Sequence, residues 1–334
     1  MRLPGFQYVA PRSIGEVCLF LKDHGKESKI LAGGTDLLPS MKQRIFSPSY
    51  LVHIHDIPEM SQIEFNEQSG LRIGALVKLR VLERNPLIRQ RYPMISQAAA
   101  EVGSVQIREM GSLGGNLSLD TRCYYYNQSS FWRKCKPRCI KMGGERCNAM
   151  GGGKRCFAVF CGDLAPSLIA LGAEIKLVST KGERILSLSD FYTGNGAMPL
   201  AIETDEVLAE VRIPVLPPNE VIGTYFKYRI RRTIDFPLAS VAAVLTFDAK
   251  GQICKEATVV IGAVGTKPEE VKTIGELLKG RRLDGPTIEE ASELAFHTAK
   301  PIANQGSTPF YRKRMIKVMT SKALKRELRG GEKP

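Results

Sequence analysis

Gly111-Ser112-Leu113-Gly114-Gly115-Asn116-Leu117 is a glycine turn that opens directly into a cysteine-rich loop. That loop holds Cys123, Cys135, Cys139, Cys147, Cys156 and Cys161, six of the eight cysteines in 334 residues. Free cysteine usually behaves as a small apolar residue buried singly in a core, so the clustering needs a chemical reason. A thiolate-held metal centre is the reading that supplies one. Spacing alone does not choose the ligands, because the loop shows no C-x2-C pairs. An iron–sulfur cluster accepts long separations when a loop wraps it. Tetrahedral zinc, and no metal at all, remain open at this point.

A second glycine turn lies upstream, at Leu31-Ala32-Gly33-Gly34-Thr35-Asp36-Leu37-Leu38. Lys29 to Ala32 reads as a short buried strand leading into it. Thr35 or Asp36 can cap the helix that follows, and Pro39 fits its first turn. Strand, glycine turn and helix start aim backbone N–H groups at a phosphate. Neither turn matches the G-x-G-x-x-G dinucleotide fingerprint. Each alone reads as a tight turn; together they suit the two phosphates of one dinucleotide.

The chain has the 43% hydrophobic and 25% charged residues of a folded soluble protein. No apolar run approaches the ~20 residues that span a bilayer. Met1-Arg2-Leu3-Pro4-Gly5 begins no apolar signal region, so a reducing cytoplasm is expected, where metal ligation is favoured over disulfides. Net charge is +14, yet no RNP motif, zinc-finger spacing or helix-turn-helix accompanies it. The charge is local: Arg122 to Arg155 carries nine Lys/Arg against one acid, Glu145, and the tail from Tyr311 is basic. Such a run is either a solvated face or a docking surface for an acidic partner.

Around these stretches the pattern is mixed. Ser13 and Glu16 have capping-box spacing before a helix over 14–24, closed by Gly25. Leu51–Ile57 reads as a strand, and Ile63–Phe65 with Leu71–Ile73 as a hairpin. Residues 76–102 are helix-rich, interrupted at Pro86 and Pro93. A helix is expected over 164–171 and a strand pair at 173–178 and 184–188 about Lys181-Gly182. A strand at 207–213 runs into the proline-rich linker Pro214–Pro218. Strands follow at 224–230, 239–247 and 257–264, the last two joined at Ala249-Lys250-Gly251, with helices from Pro268 onward. His24, His53, His55 and His297 lie away from the cysteines, and Cys18 and Cys254 read as core residues. No Ser–His–Asp or paired-carboxylate set supports hydrolysis.

Leu31 to Leu38 followed by Lys42, together with Ser112 to Asn116, resembles the FAD-binding medium subunit of the molybdenum hydroxylase (xanthine oxidase) family, over essentially the whole chain. The resemblance implies that Leu31, Ala32, Gly33, Gly34, Thr35, Asp36, Leu37, Leu38, Lys42, Ser112, Gly114, Gly115 and Asn116 hold the FAD pyrophosphate. It places Asp163, Leu208 and Lys227 at the flavin and Asp120 at ribityl or ribose hydroxyls. A cation at Lys227 would favour the anionic reduced flavin. The implied fold is α+β: an FAD-binding domain over 1–216 in two α/β subdomains, about 1–57 and 58–216, then a C-terminal antiparallel sheet with helices over 219–334.

Usual members pass straight from the second turn to a segment like Asp163-Leu164-Ala165-Pro166; here residues 121–162 intervene. This insertion is similar to that in the beta subunits of 4-hydroxybenzoyl-CoA reductases, a branch of the family. Lys227-Tyr228-Arg229-Ile230-Arg231 and Asp235-Phe236-Pro237-Leu238-Ala239 match them as well. The match implies a 4Fe-4S cluster on Cys123, Cys139, Cys147 and Cys156, with Cys135 and Cys161 as bystanders. It further implies a molybdopterin-containing large subunit that binds aryl-CoA, a small subunit with 2Fe-2S clusters, and a dimer of heterotrimers. Electrons would come from ferredoxin for reductive dehydroxylation to benzoyl-CoA, at a molybdenum site in another chain. The basic run Arg133-Lys134-Cys135-Lys136 is the expected docking face for that acidic donor. The alternatives are another molybdenum hydroxylase, acting on aldehydes, aromatics, xanthine or CO, and a zinc- or nucleic-acid-binding protein.

Overall fold

Parallel strands need crossover connections, and the N-terminal segment supplies them. The computed structural model describes residues 2–217, 221–248 and 251–328. β1 (Gln7–Val9), β2 (Ser28–Leu31) and β3 (Tyr50–His53) form a parallel sheet in the order β1-β3-β2. The helix Ile14–His24 crosses from β1 to β2, and Ser13 Oγ accepts the Glu16 N–H at 3.2 Å. The Glu16 carboxylate reaches back to the Arg12 N–H, so the box closes one residue early. β3 stops at His53 instead of running to Ile57. Its partner β2 ends at Leu31, where the glycine turn begins, so nothing continues the ladder.

An antiparallel sheet follows. It contains β4 (Ile63–Asn66), β5 (Gly70–Gly74), β6 (Glu174–Ser179), β7 (Gly182–Ser187) and β8 (Val207–Ile213), in the order β4-β5-β8-β6-β7. The β4–β5 hairpin turns because Asn66 Oδ1 accepts the Gln68 and Ser69 N–H groups. Between β5 and β6 the chain makes short helices, broken at Pro86 and Pro93 as proline requires. The second glycine turn, the cysteine loop and the helix Leu164–Ala170 complete this excursion.

The C-terminal sheet is antiparallel: β9 (Val221–Tyr228), β10 (Ala239–Phe247), β11 (Cys254–Gly262) and β12 (Glu269–Glu270), in the order β12-β11-β10-β9. Of the turn expected between β10 and β11 at Ala249-Lys250-Gly251, Ala249 and Lys250 lie outside the described residues. Side chains alternate across a strand, and β10 uses both faces. Ala239, Val241, Ala243 and Leu245 join a core with the helices Lys272–Leu278, Gly285–Thr298 and Pro309–Leu328. Ala242 and Val244 join the core of the preceding sheets. β10 is therefore common to two cores. Among the described residues no helix is long and apolar enough to cross a membrane.

Candidate functional site

The two glycine turns meet. Gly33 lies so close to the carbonyl of Met110 that a β-carbon there would sit 1.9 Å from that oxygen. Gly34 has φ +69°, a left-handed conformation that favours glycine. Ser112 Oγ accepts the Gly115 N–H at 3.2 Å, while the Leu113 and Gly114 N–H groups donate to Val77 and Ala75 carbonyls. The second turn is thus pinned to the exit of β5.

Beside the joined turns opens a cavity of about 780 Å³, within the usual range for a cofactor site. Ala32, Gly33, Gly34, Thr35, Asp36 and Leu37 line it from the first turn, and Ser112, Gly114, Gly115 and Asn116 from the second. Asp120, Asp163 and Leu208 also line it, and Ile234, Asp235 and Phe236 close it from the C-terminal unit. Four residues assigned to the flavin stand off the lining. Leu31 and Leu38 pack against Gly34, and Lys42 is exposed at the end of the helix Leu37–Lys42. Lys227 sits behind Asp163.

Asp36 occupies the N-cap position of its helix without making a side-chain cap. Its carboxylate is paired instead with the Arg122 guanidinium, which also stacks on Phe236 at 4.4 Å. This pair ties the first turn, the start of the insertion and the C-terminal unit together. Burial lowers the Arg122 pKa.

Asp163 and Lys227 form a buried ion pair at 3.0 Å. The Lys227 ammonium also donates to the Glu101 carbonyl at 2.8 Å, and Tyr225 Oη donates to Asp163 at 2.8 Å. Burial pushes the Asp163 carboxyl up, and Lys227 pulls it back. Lys227 therefore acts on the cavity through Asp163, whose carboxylate it holds in place.

The cysteine loop is folded without regular strands. Isolated bridges pair Arg122 with Val159, Cys139 with Arg146 and Cys147 with Gly153. The Cys123 N–H donates to Asn127 Oδ1, and the Met142 and Gly144 N–H groups donate to the Cys139 carbonyl. These turns bring Cys123, Cys139, Cys147 and Cys156 to the wall of one small pocket. Cys135 is exposed and Cys161 is buried against Gln305, so neither shares it. Burial pushes the Cys123 thiol up to about 11, and the other three cysteines add to the shift. A cationic inorganic centre is the kind of group that would offset the burial and crowding felt by the Cys123 thiol. Among the described residues, no three His, Cys, Asp or Glu side chains converge tightly enough for a single metal ion.

Arg133 differs from expectation. Its guanidinium is buried and donates to the carbonyls of Gln43, Arg44 and Gln128. It moors the insertion to the N-terminal unit and offers no charge to a partner. Lys134, Lys136, Arg138, Arg146, Lys154 and Arg155 are the exposed cations of the insertion. Sequence reasoning also passed over Tyr126 and Lys141, which line both the large cavity and the thiol pocket. A tyrosine and a lysine inside a polar, basic loop give no local signal of such a position.

The family described as FAD binding domain in molybdopterin dehydrogenase matches residues 4–216, and the CO dehydrogenase flavoprotein C-terminal domain matches 224–326. The chain belongs to this family of FAD-binding molybdopterin dehydrogenase subunits. It is 29% identical to the carbon monoxide dehydrogenase medium chain of Afipia carboxidovorans, over 97% of each chain. It is 31% identical to the aldehyde oxidoreductase FAD-binding subunit PaoB of Escherichia coli, over 73% of this chain and 77% of that one. The solved quinoline 2-oxidoreductase of Pseudomonas putida 86 superposes with a TM-score of 0.79 at 26% identity, covering both chains fully. As a member, this chain is an FAD-binding oxidoreductase subunit of α+β fold.

Proposed function

We propose that this chain is the electron-input subunit of a molybdenum-containing aryl-CoA reductase, acting in reductive dehydroxylation of 4-hydroxybenzoyl-CoA. One observation carries the reading: four thiols line a single pocket that shares Tyr126 and Lys141 with the flavin cavity. Cys123, Cys139, Cys147 and Cys156 would hold a 4Fe-4S cluster there. When bound, the cluster supplies one-electron exchange and FAD couples it to two-electron chemistry. The residues of the chain bind and space these groups. Cys139 and Cys147 are held by the local turns described above, Gly33 lets the first turn pack onto the Met110 carbonyl beside the second, Gly34 supplies the left-handed bend, and Asp163 is fixed by Lys227 and Tyr225. The exposed lysines and arginines of the insertion favour an acidic low-potential donor such as ferredoxin.

Its companions in this reading are a molybdopterin-bearing large subunit and a 2Fe-2S small subunit, assembled as a dimer of heterotrimers in the cytoplasm. The flavin unit would occupy 1–216 and the C-terminal unit 219–334, divided at the Pro214–Pro218 linker. A second reading, an oxidising molybdenum hydroxylase, is favoured by the relatives, which are named for CO, aldehyde and quinoline chemistry. The complex purified without oxygen decides between them. Iron and acid-labile sulfide beyond that of the 2Fe-2S subunit, with turnover of 4-hydroxybenzoyl-CoA by a reduced low-potential dye, is the expected result. An iron-free insertion, or oxidation of an aldehyde or heteroaromatic with no aryl-CoA turnover, overturns it.

A further inference from the structure

The partition between the two cavities contains a fixed charge. Tyr126 and Lys141 face both sides. The Lys141 ammonium donates to Asp120 Oδ1 at 2.6 Å and to the Thr121 carbonyl at 3.2 Å, and lies 4.9 Å from the centre of the Tyr126 ring. Its side chain is only 5% exposed. Thr121, fully buried, is itself held by donating to the Gly196 carbonyl. Asp120 lies on the flavin side only. A cation held away from water between two electron-carrying sites acts strongly on both, because neither solvent nor salt screens it well.

We propose that Lys141, oriented by Asp120 and Thr121, is a redox-tuning residue that favours the reduced state of the centres on both sides of the partition, with Asp120 moderating its effect. The inference rests on the reading of the thiol pocket above for its iron arm, and only on FAD binding for its flavin arm. The step concerned is transfer of one electron from a low-potential iron–sulfur donor protein to the thiolate-held centre. No bond forms or breaks, and the centre gains one negative charge. A nearby ammonium stabilises that gain, since net charge around a cluster sets its potential. Tyr126 fills the remaining gap with an aromatic ring and keeps water from it.

The test uses the complex with its companion subunits, prepared without oxygen, as wild type, Lys141→Gln, Lys141→Arg and Asp120→Asn. Redox titration followed by EPR reads the iron centre of this chain, and visible absorption reads the flavin. Lys141→Gln is expected to disfavour reduction ten-fold, about 59 mV for the one-electron couple and about 30 mV for the two-electron flavin couple. Lys141→Arg should stay near wild type. Asp120→Asn, which leaves the lysine uncompensated, should move the iron potential the opposite way. A merely structural lysine predicts no such opposed signs. Coincident titrations of Lys141→Gln and wild type, or shifts of the same sign in Lys141→Gln and Asp120→Asn, overturn the proposal. If Lys141→Gln fails to retain iron, the sign of the Asp120→Asn shift decides. Wild type with no iron signal from this chain sinks the thiol-pocket reading instead, and the flavin arm still tests Lys141.

Discussion

The cavity beside the glycine turns and the thiol pocket are built in opposite ways. The cavity sits where β2 and β5 end and helices begin, and its backbone is held by ladders and a buried core. The thiol pocket is made of turns and isolated bridges, with Arg133 and the Arg122–Asp36 pair as its moorings. Regular structure pre-forms the first site whether or not a ligand is present. The second depends on long-range side-chain ties, among them Arg133 to the Gln43 and Arg44 carbonyls and Asn304 to the Phe157 carbonyl; if its four thiols hold an inorganic centre, that centre adds to the fold of the loop.

A reciprocal pair of variants breaks the comparison most sharply. Cys139→Ser should remove the iron signal of the insertion entirely and leave FAD near one per chain. Gly33→Ala places a β-carbon against the Met110 carbonyl and should weaken FAD retention roughly ten-fold or more, about 1.4 kcal/mol, leaving the iron in place. Iron and flavin analysis of the two variants checks both. If each variant lost both cofactors, the sites would be one cooperative unit.

Next in size is Lys227→Met, which strands Asp163 in the core. Breaking a buried pair from one side costs about 3–5 kcal/mol, read as a fall in melting temperature. The deficit should depend on pH. Burial already holds the folded Asp163 carboxyl above its ordinary value of 3.8, and loss of Lys227 raises it further. A raised carboxyl means the folded protein binds the proton more tightly. Stability from that protonation is full below the unfolded value and lost as pH rises through the folded one. The Lys227→Met deficit should therefore be smaller at about pH 5 than at about pH 8. A deficit that does not vary with pH would mean that Asp163 finds another partner.

The smallest effect belongs to the surface. Reversing Lys134 and Lys136 together should slow reduction by an acidic donor roughly ten-fold at low salt and flatten its salt dependence. Arg133→Glu is the contrasting variant: it should loosen the insertion itself and lower its iron content. Stopped-flow rates across a salt series separate the two. An unchanged profile for the lysine pair would make that face a merely solvated one.

Local signals carried well from sequence to structure. The Ser13 cap, the two glycine turns and the strand at β10 depend on residues a few positions apart, and each appears in the fold. Long-range pairings did not carry. Asp36 reads as a helix cap until Arg122, 86 residues away, takes its carboxylate. Arg133 reads as surface charge until the carbonyls of Gln43 and Arg44 claim it. Lys227, expected at the flavin, gives no local sign of its pairing with Asp163, 64 residues away. For Asp36 and Arg133 a charged side chain had one obvious local use and a better distant one. The choice among six cysteines shows the same limit: their spacing leaves all combinations open, the resemblance selects four, and the folded loop sets those four around one pocket.

β10 has a practical consequence. Since Ala242 and Val244 lie in one core and Ala243 and Leu245 in the other, severing the chain at the proline linker would bare an oily strand surface on one half and a gap on the other. Neither half is a sound candidate for separate expression. Tyr225 of β9 and Val260 of β11 lie in the same core as Ala242 and Val244, so the two units are joined across a whole sheet face, and a hinge between them would have to peel that face away.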